Sequence, residues 1–173
     1  MSDQTASEIG PVSFSERVAS SQAFAVLFRD GMALVEETAS YLDGPGRQES
    51  KKLERTAALA YATESMRLTT RLMQLASWLL LHRAVKEGEM SLAQANKEKS
   101  KVKLAAGEPG DEKTLAMLPV KLRELIARSV RLQADVRRLD TTMHAPPRSR
   151  PMIGNPVEHQ LGLLKAAFEQ DAS

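Results

Sequence analysis

Three histidines, His82, His144 and His159, are the only side chains whose ordinary pKa lies near neutrality, and none has a carboxylate three residues away, the spacing a helical di-iron site uses. The chain has no cysteine, which removes disulfides, thiolate metal sites, iron–sulfur clusters and a cysteine nucleophile together. Serines and threonines are plentiful, but none sits in a strand-turn-helix nucleophile pattern and no histidine spacing suggests a base. The Gly-containing run Asp43-Gly44-Pro45-Gly46-Arg47 joins two helical patterns and lacks the Lys-Ser/Thr of a phosphate loop. No catalytic, cofactor or metal site is therefore expected.

What remains is chemistry of recognition. Glu64, Arg67, Arg71, Gln74 and Trp78 recur at helical spacing, and Arg and Trp are the residues that anchor interfaces. The plain alternative is that both arginines pair with Glu64 or with Glu36 and Glu37, and that Trp78 is core. Lysines 97, 99, 101 and 103 offer a basic segment for nucleic acid or an acidic partner, although such a run is more commonly a solvated face. The turn Asp43 to Arg47 with the neighbouring Tyr41 is a third candidate surface, unless Gly44 and Gly46 serve backbone angles alone.

The elements that must carry these residues are helical. Aromatics make up only 4% of 173 residues, which disfavours a sheet core, and the length suits one domain. Ser13 and Glu16 form a capping box for a first helix over 13–42, with Val18, Ala25, Phe28, Met32, Val35, Ala39 and Leu42 as its stripe. A second helix is predicted over 48–87, antiparallel to the first across the short turn. One of its seams holds Tyr61, Leu68, Leu72, Leu75 and Leu79; a second, about 100° round the helix, holds Leu59, Met66, Met73, Ala76 and Leu80. So wide an apolar arc on so long a helix predicts a homodimer, with Leu72, Leu75, Leu79 and Leu80 at the interface. Ser91 and Gln94 offer a further capping box, 105–115 reads as loop, and Pro119 opens a third helix over 119–140 whose stripe is Leu122, Leu125, Ser129, Leu132, Val136 and Leu139. The expected architecture is an all-α, three-helix up-down bundle with a long central helix and a basic segment and loop over 88–118.

Both ends read differently. Residues 1–12 are small and polar and are expected to be disordered. Residues 141–173 begin with a Pro-rich stretch, APPRSRPMIGNP, read as a flexible tail, followed by a short amphipathic segment over 157–170 with Val157, Leu161, Leu164 and Phe168. Leu161, Leu164 and Phe168 are candidates either to fold back on the bundle or to dock into a partner. The net charge of +2 is too balanced for a general polyanion binder, but residues 1–49 are acidic and the remainder basic, so the first helix is expected to lie against basic ones. No apolar run approaches membrane-spanning length and no signal sequence is visible, so a cytoplasmic protein without membrane association is expected.

The run Tyr41-Leu42-Asp43-Gly44-Pro45-Gly46-Arg47 and the block from Glu64 through Arg67, Arg71, Gln74 and Trp78 to Leu81 resemble the RcdA (regulator of CtrA degradation) family of alphaproteobacteria. The likeness continues through Arg83-Ala84-Val85, Gly88-Glu89 and Leu122-Arg123-Glu124-Leu125, covering most of 14–140. The resemblance implies a dimeric helical adaptor without catalytic activity that delivers CtrA and other cargo to the ClpXP protease. It also implies work with the response regulator CpdR and the cyclic-di-GMP effector PopA, at a cell pole. The mode of action is then tethering of cargo to protease. A nucleic-acid-binding or regulatory helical protein using Arg67, Arg71 and the third helix, or a helical scaffold without a protease link, are the alternatives.

Overall fold

The structure, a computed structural model, describes residues 14–101 and 108–144. All regular structure among them is helical: α1 Phe14–Asp43, α2 Pro45–Ser50, α3 Arg55–Lys86, α4 Leu92–Lys101, α5 Glu112–Ala116 and α6 Val120–His144. The chain divides into two units, 1–140 and 141–173, and the helices as far as Asp140 belong to the first. The expectations for 1–12, for residues 145–173 of the tail and for Leu161, Leu164 and Phe168 lie outside the described residues, whereas residues 141–144, expected to begin the tail, continue α6.

One core is shared by α1, α3 and α6, with Phe24, Leu34 and Tyr41 from α1, Leu68, Leu72, Leu75, Trp78 and Leu79 from α3, and Leu122, Leu125, Ile126, Leu132 and Val136 from α6. Removing so many branched side chains from water, at about 25 cal/mol per Å² of apolar surface, is what chiefly holds the helices together. The directions of the helices follow from who meets whom. Phe24 contacts Trp78 and His82, and Gly31 faces Leu79, so α1 and α3 are antiparallel, as the short turn predicts. Gly31 also faces Leu132, while Glu37 further along α1 bonds Lys121 and Arg128 of α6, so α1 and α6 are antiparallel too. Arg71 meets Ser129 and Trp78 meets Asp140, which makes α3 and α6 parallel. The up-down alternation expected for the third helix is therefore corrected.

The connection over 87–119 explains the change of direction. Gly88, at φ +76°, ends α3 in the left-handed conformation that favours glycine, and the backbone amide of Glu89 returns to the Ala84 carbonyl at 2.9 Å. The Ser91–Gln94 capping box forms as predicted, each residue's backbone N–H meeting the other's side chain at 3.0 and 3.2 Å, and α4 packs back along α3. Lys99 pairs with Asp140, and farther on the backbone N–H of Gly110 reaches Glu64 at 3.1 Å, near the opposite end of α3. A strap that has retraced α3 must launch the next helix parallel to it. Within the expected loop, Asp111 caps the short α5 by accepting from the Thr114 N–H at 2.9 Å.

The turn also departs from expectation. Only Gly44 separates α1 from α2, and the predicted second helix divides into α2 and an α3 that begins at Arg55. A Cβ at Gly46 would lie 2.6 Å from the Tyr61 hydroxyl and 2.8 Å from the Tyr41 carbonyl, so close approach, and not a special backbone angle, demands glycine there. Helix length no longer speaks for dimerisation either: α3 has 32 residues against 30 in α1, so it has a partner of nearly equal length.

Candidate functional site

The stripe expected to serve recognition faces inward. Glu64, Arg71 and Trp78 are each 1% exposed, and Gln74 is half-buried. Glu64 accepts from Arg67 at 2.6 Å and from the Gly110 N–H, while Arg71 donates to the Ser129 hydroxyl at 3.0 Å, which in turn donates to the Ile126 carbonyl at 2.7 Å. Burial pulls the Arg71 guanidinium below its usual pKa, opposed by the negative charges of Glu64 and Glu108. A charge this deeply placed persists only because opposite charge and hydrogen bonds surround it. The expectation of a partner surface here is corrected for Glu64, Arg71 and Trp78; Arg67, with its side chain 41% exposed, keeps an outward part.

A second polar group closes the far end. Asp140 accepts from the Trp78 indole at 3.2 Å and from Lys99, with the His82 imidazole 3.9 Å away. His82 also lies against Trp78, ring centres 4.0 Å apart, under Phe24. Asp140 thereby joins α3, α4 and α6 at one point. A third group, Glu37 of α1 between Lys121 and Arg128 of α6 at 2.6 Å each, realises the expected meeting of an acidic first helix with a basic third one. The two cations hold the Glu37 carboxyl below its ordinary pKa of 4.5.

At the turn, Tyr41 is buried and its hydroxyl donates to Glu49 at 2.5 Å; burial and the Glu49 charge push its pKa above the usual tyrosine range. Asp43 and Arg47 are exposed, so of the three predicted turn residues these two are available to a partner.

The expected dimer residues divide sharply. Leu72, Leu75 and Leu79 are 4%, 1% and 0% exposed inside the protomer and cannot face a second subunit; this corrects the expectation for them. Leu80 is 52% exposed. It stands in a row with Leu59, Met66 and Met73, at 70%, 73% and 66% exposure, every seventh residue along α3. On a helix of about 3.6 residues per turn such a row drifts slowly round the axis, the signature of a seam for another helix. The sequence displays this row as the second seam, but periodicity alone does not say which of two seams the protomer keeps for itself.

Among the described residues no group of three or more His, Asp or Glu is placed to hold a metal ion, and no helix is long and apolar enough to cross a membrane. The class defined is an all-helical protein whose buried polar residues join its helices to one another and whose conspicuous outer feature is an apolar seam. Residues 15–168 match the family model described as a protein of unknown function, DUF1465. No curated protein matches. The crystal structure of RcdA from Caulobacter crescentus CB15 is similar at 54% identity over 69% of this chain and 89% of that one, with a TM-score of 0.58. The chain belongs to the RcdA family.

Proposed function

We propose that this chain is a non-enzymatic proteolytic adaptor that tethers cell-cycle regulators such as CtrA to the ClpXP protease, together with CpdR and PopA and at a cell pole. The observation that carries this reading is the 54% identity to RcdA over 69% of the chain. Tethering needs surfaces and no reactive group: it raises the local substrate concentration, so each contact can be modest. The exposed turn residues Asp43 and Arg47, the outward part of Arg67 and the tail residues Leu161, Leu164 and Phe168 are the contacts assigned to protease, co-adaptors and cargo. Homodimerisation is assigned to Leu59, Met66, Met73 and Leu80, whose exposed side chains are otherwise an apolar liability in water. The nucleic-acid alternative relied on Arg67 and Arg71; one is paired with Glu64 and the other is in the core, which leaves it only the outer face of α6.

The test is reconstitution: purified ClpXP, CpdR, CtrA and PopA with cyclic-di-GMP, with and without this chain, following CtrA loss. Acceleration that depends on the chain, and falls when 145–173 are removed without change in melting, supports the adaptor and its tail contact. A CtrA half-life unaffected by the full chain refutes the reading.

A further inference from the structure

The outer face of α3 alternates in size as well as in polarity. In the gaps between Leu59, Met66, Met73 and Leu80 stand Ala62 and Thr63, Thr69 and Thr70, Ala76 and Ser77, all small and at least partly exposed. The Thr69 and Ser77 hydroxyls donate to the Ser65 and Met73 carbonyls of their own helix at 2.8 Å each, so covering them strands no donor. Along this face charge enters only at the two ends. Arg55 stands four residues before Leu59, exposed and without an ion pair among the described residues. Glu87 stands seven residues after Leu80, with its side chain 47% exposed beside Arg83.

This alternation limits how a second copy can lie on the face. Two-fold symmetry with parallel helices sets every residue level with its own copy, so Leu and Met would meet Leu and Met and hold the helices apart over the small pairs. It would also set Arg55 beside Arg55. Antiparallel helices are free to slide. A stagger that crosses them level with Arg71 places Leu80 over the partner's Ala62, Met66 over its Ala76 and Met73 over its Thr69, so that each protrusion fills a gap. The same stagger, without further adjustment, brings Arg55 to the partner's Glu87.

We propose that two copies of this chain pair through this face with their α3 helices antiparallel and in that stagger, a proposal that rests on the assignment of the row to homodimerisation. Size complementarity fixes the stagger, and the charged ends favour it over the parallel arrangement. The pairing has a consequence for tethering. Gly46 lies against Tyr61 near the start of α3, so the exposed Asp43 and Arg47 of the two copies stand at opposite ends of the dimer. Two partners can then be held at once without meeting.

Because the chain has no cysteine, single introduced cysteines report on orientation. Full-length Ala62→Cys and Leu80→Cys chains are prepared separately, mixed at a concentration where sedimentation gives a dimer, and oxidised with copper phenanthroline. The expected product is a mixed disulfide between positions 62 and 80. Neither chain alone should cross-link, since the two copies of position 80 lie about 27 Å apart along the axis at about 1.5 Å per residue. A nitroxide on Thr56→Cys, an exposed position outside the row, gives a reading free of disulfide geometry. Its pulsed electron–electron distance should be about 45 Å, against about 20 Å or less for parallel helices. Cross-linking of Leu80→Cys with itself, or a nitroxide distance far from 45 Å, overturns the antiparallel stagger and leaves the assignment of the row to homodimerisation standing. A monomer by sedimentation in the unmodified chain overturns both.

Discussion

Glu64 is the acid on which the buried polar layer depends, and Glu64→Leu isolates its contribution. Its Oε1 accepts from Arg67 and from the Gly110 N–H, and its charge does most to offset the burial of Arg71, itself 1% exposed. The Arg67 pair is partly solvated and within one helix, so its loss costs about 0.3–0.5 kcal/mol. More comes from the Arg71 guanidinium, which loses the charge that does most to offset its burial while keeping Glu108 nearby and its bond to Ser129, and from the Gly110 N–H left without its acceptor; such losses at buried polar groups cost about 1–3 kcal/mol. For a chain of this size each kcal/mol lowers Tm by about 2–4 °C, so the variant should melt about 3–14 °C lower. A buried charge with less compensation has a second consequence. Removing that charge as well should recover stability, so Glu64→Leu with Arg71→Met should melt above Glu64→Leu alone. Thermal melts followed by far-ultraviolet circular dichroism on wild type, both singles and the double complete the cycle. A double variant whose loss equals the sum of the singles would refute the coupling, and would mean that each residue acts only through its own packing.

Gly46→Ala should destabilise by about 1–3 kcal/mol despite alanine's better helix propensity, because the new methyl meets the Tyr41 carbonyl at 2.8 Å and backbone cannot yield as a side-chain tip can; a Tm at or above wild type contradicts this. Met66→Glu with Met73→Glu, at 73% and 66% exposure in the protomer, should keep the helical circular-dichroism spectrum and give a monomer by sedimentation, with a melting temperature lowered by the lost association, whereas an unchanged dimer mass excludes this seam as the interface. Glu37 has its pKa lowered in the folded state, so it binds a proton less readily there than when unfolded. Its contribution is complete above the ordinary value of 4.5 and is lost as pH falls through the lowered folded value; Glu37→Gln should therefore flatten the acid limb of the Tm-against-pH curve, and an unchanged limb would deny the pairing any role.

Much of the fold is legible along the chain because helices announce themselves locally. Spacing of three and four identifies α1, most of α3 and α6, and short-range hydrogen bonding makes the Ser91–Gln94 box and Pro119 readable as starts. The likeness of the Tyr41–Arg47 and Glu64–Leu81 runs to the RcdA family is equally present in residue order. Tertiary structure alone decided the rest. The parallel course of α6 beside α3 depends on a strap anchored by Lys99 to Asp140 and by Gly110 to Glu64, contacts between residues 41 and 46 positions apart that no local pattern encodes. So does the sorting of one apolar arc into core and surface. Leu72, Leu75 and Leu79 differ from Met66, Met73 and Leu80 only in angle round the same helix, and hydrophobicity is indifferent to angle. Which side is buried depends on where α1 and α6 lie. The inward turn of Glu64, Arg71 and Trp78 has the same origin, since Gly110, Ser129 and Asp140, 46, 58 and 62 residues away from their respective partners in sequence, supply hydrogen bonds that let those polar groups leave water.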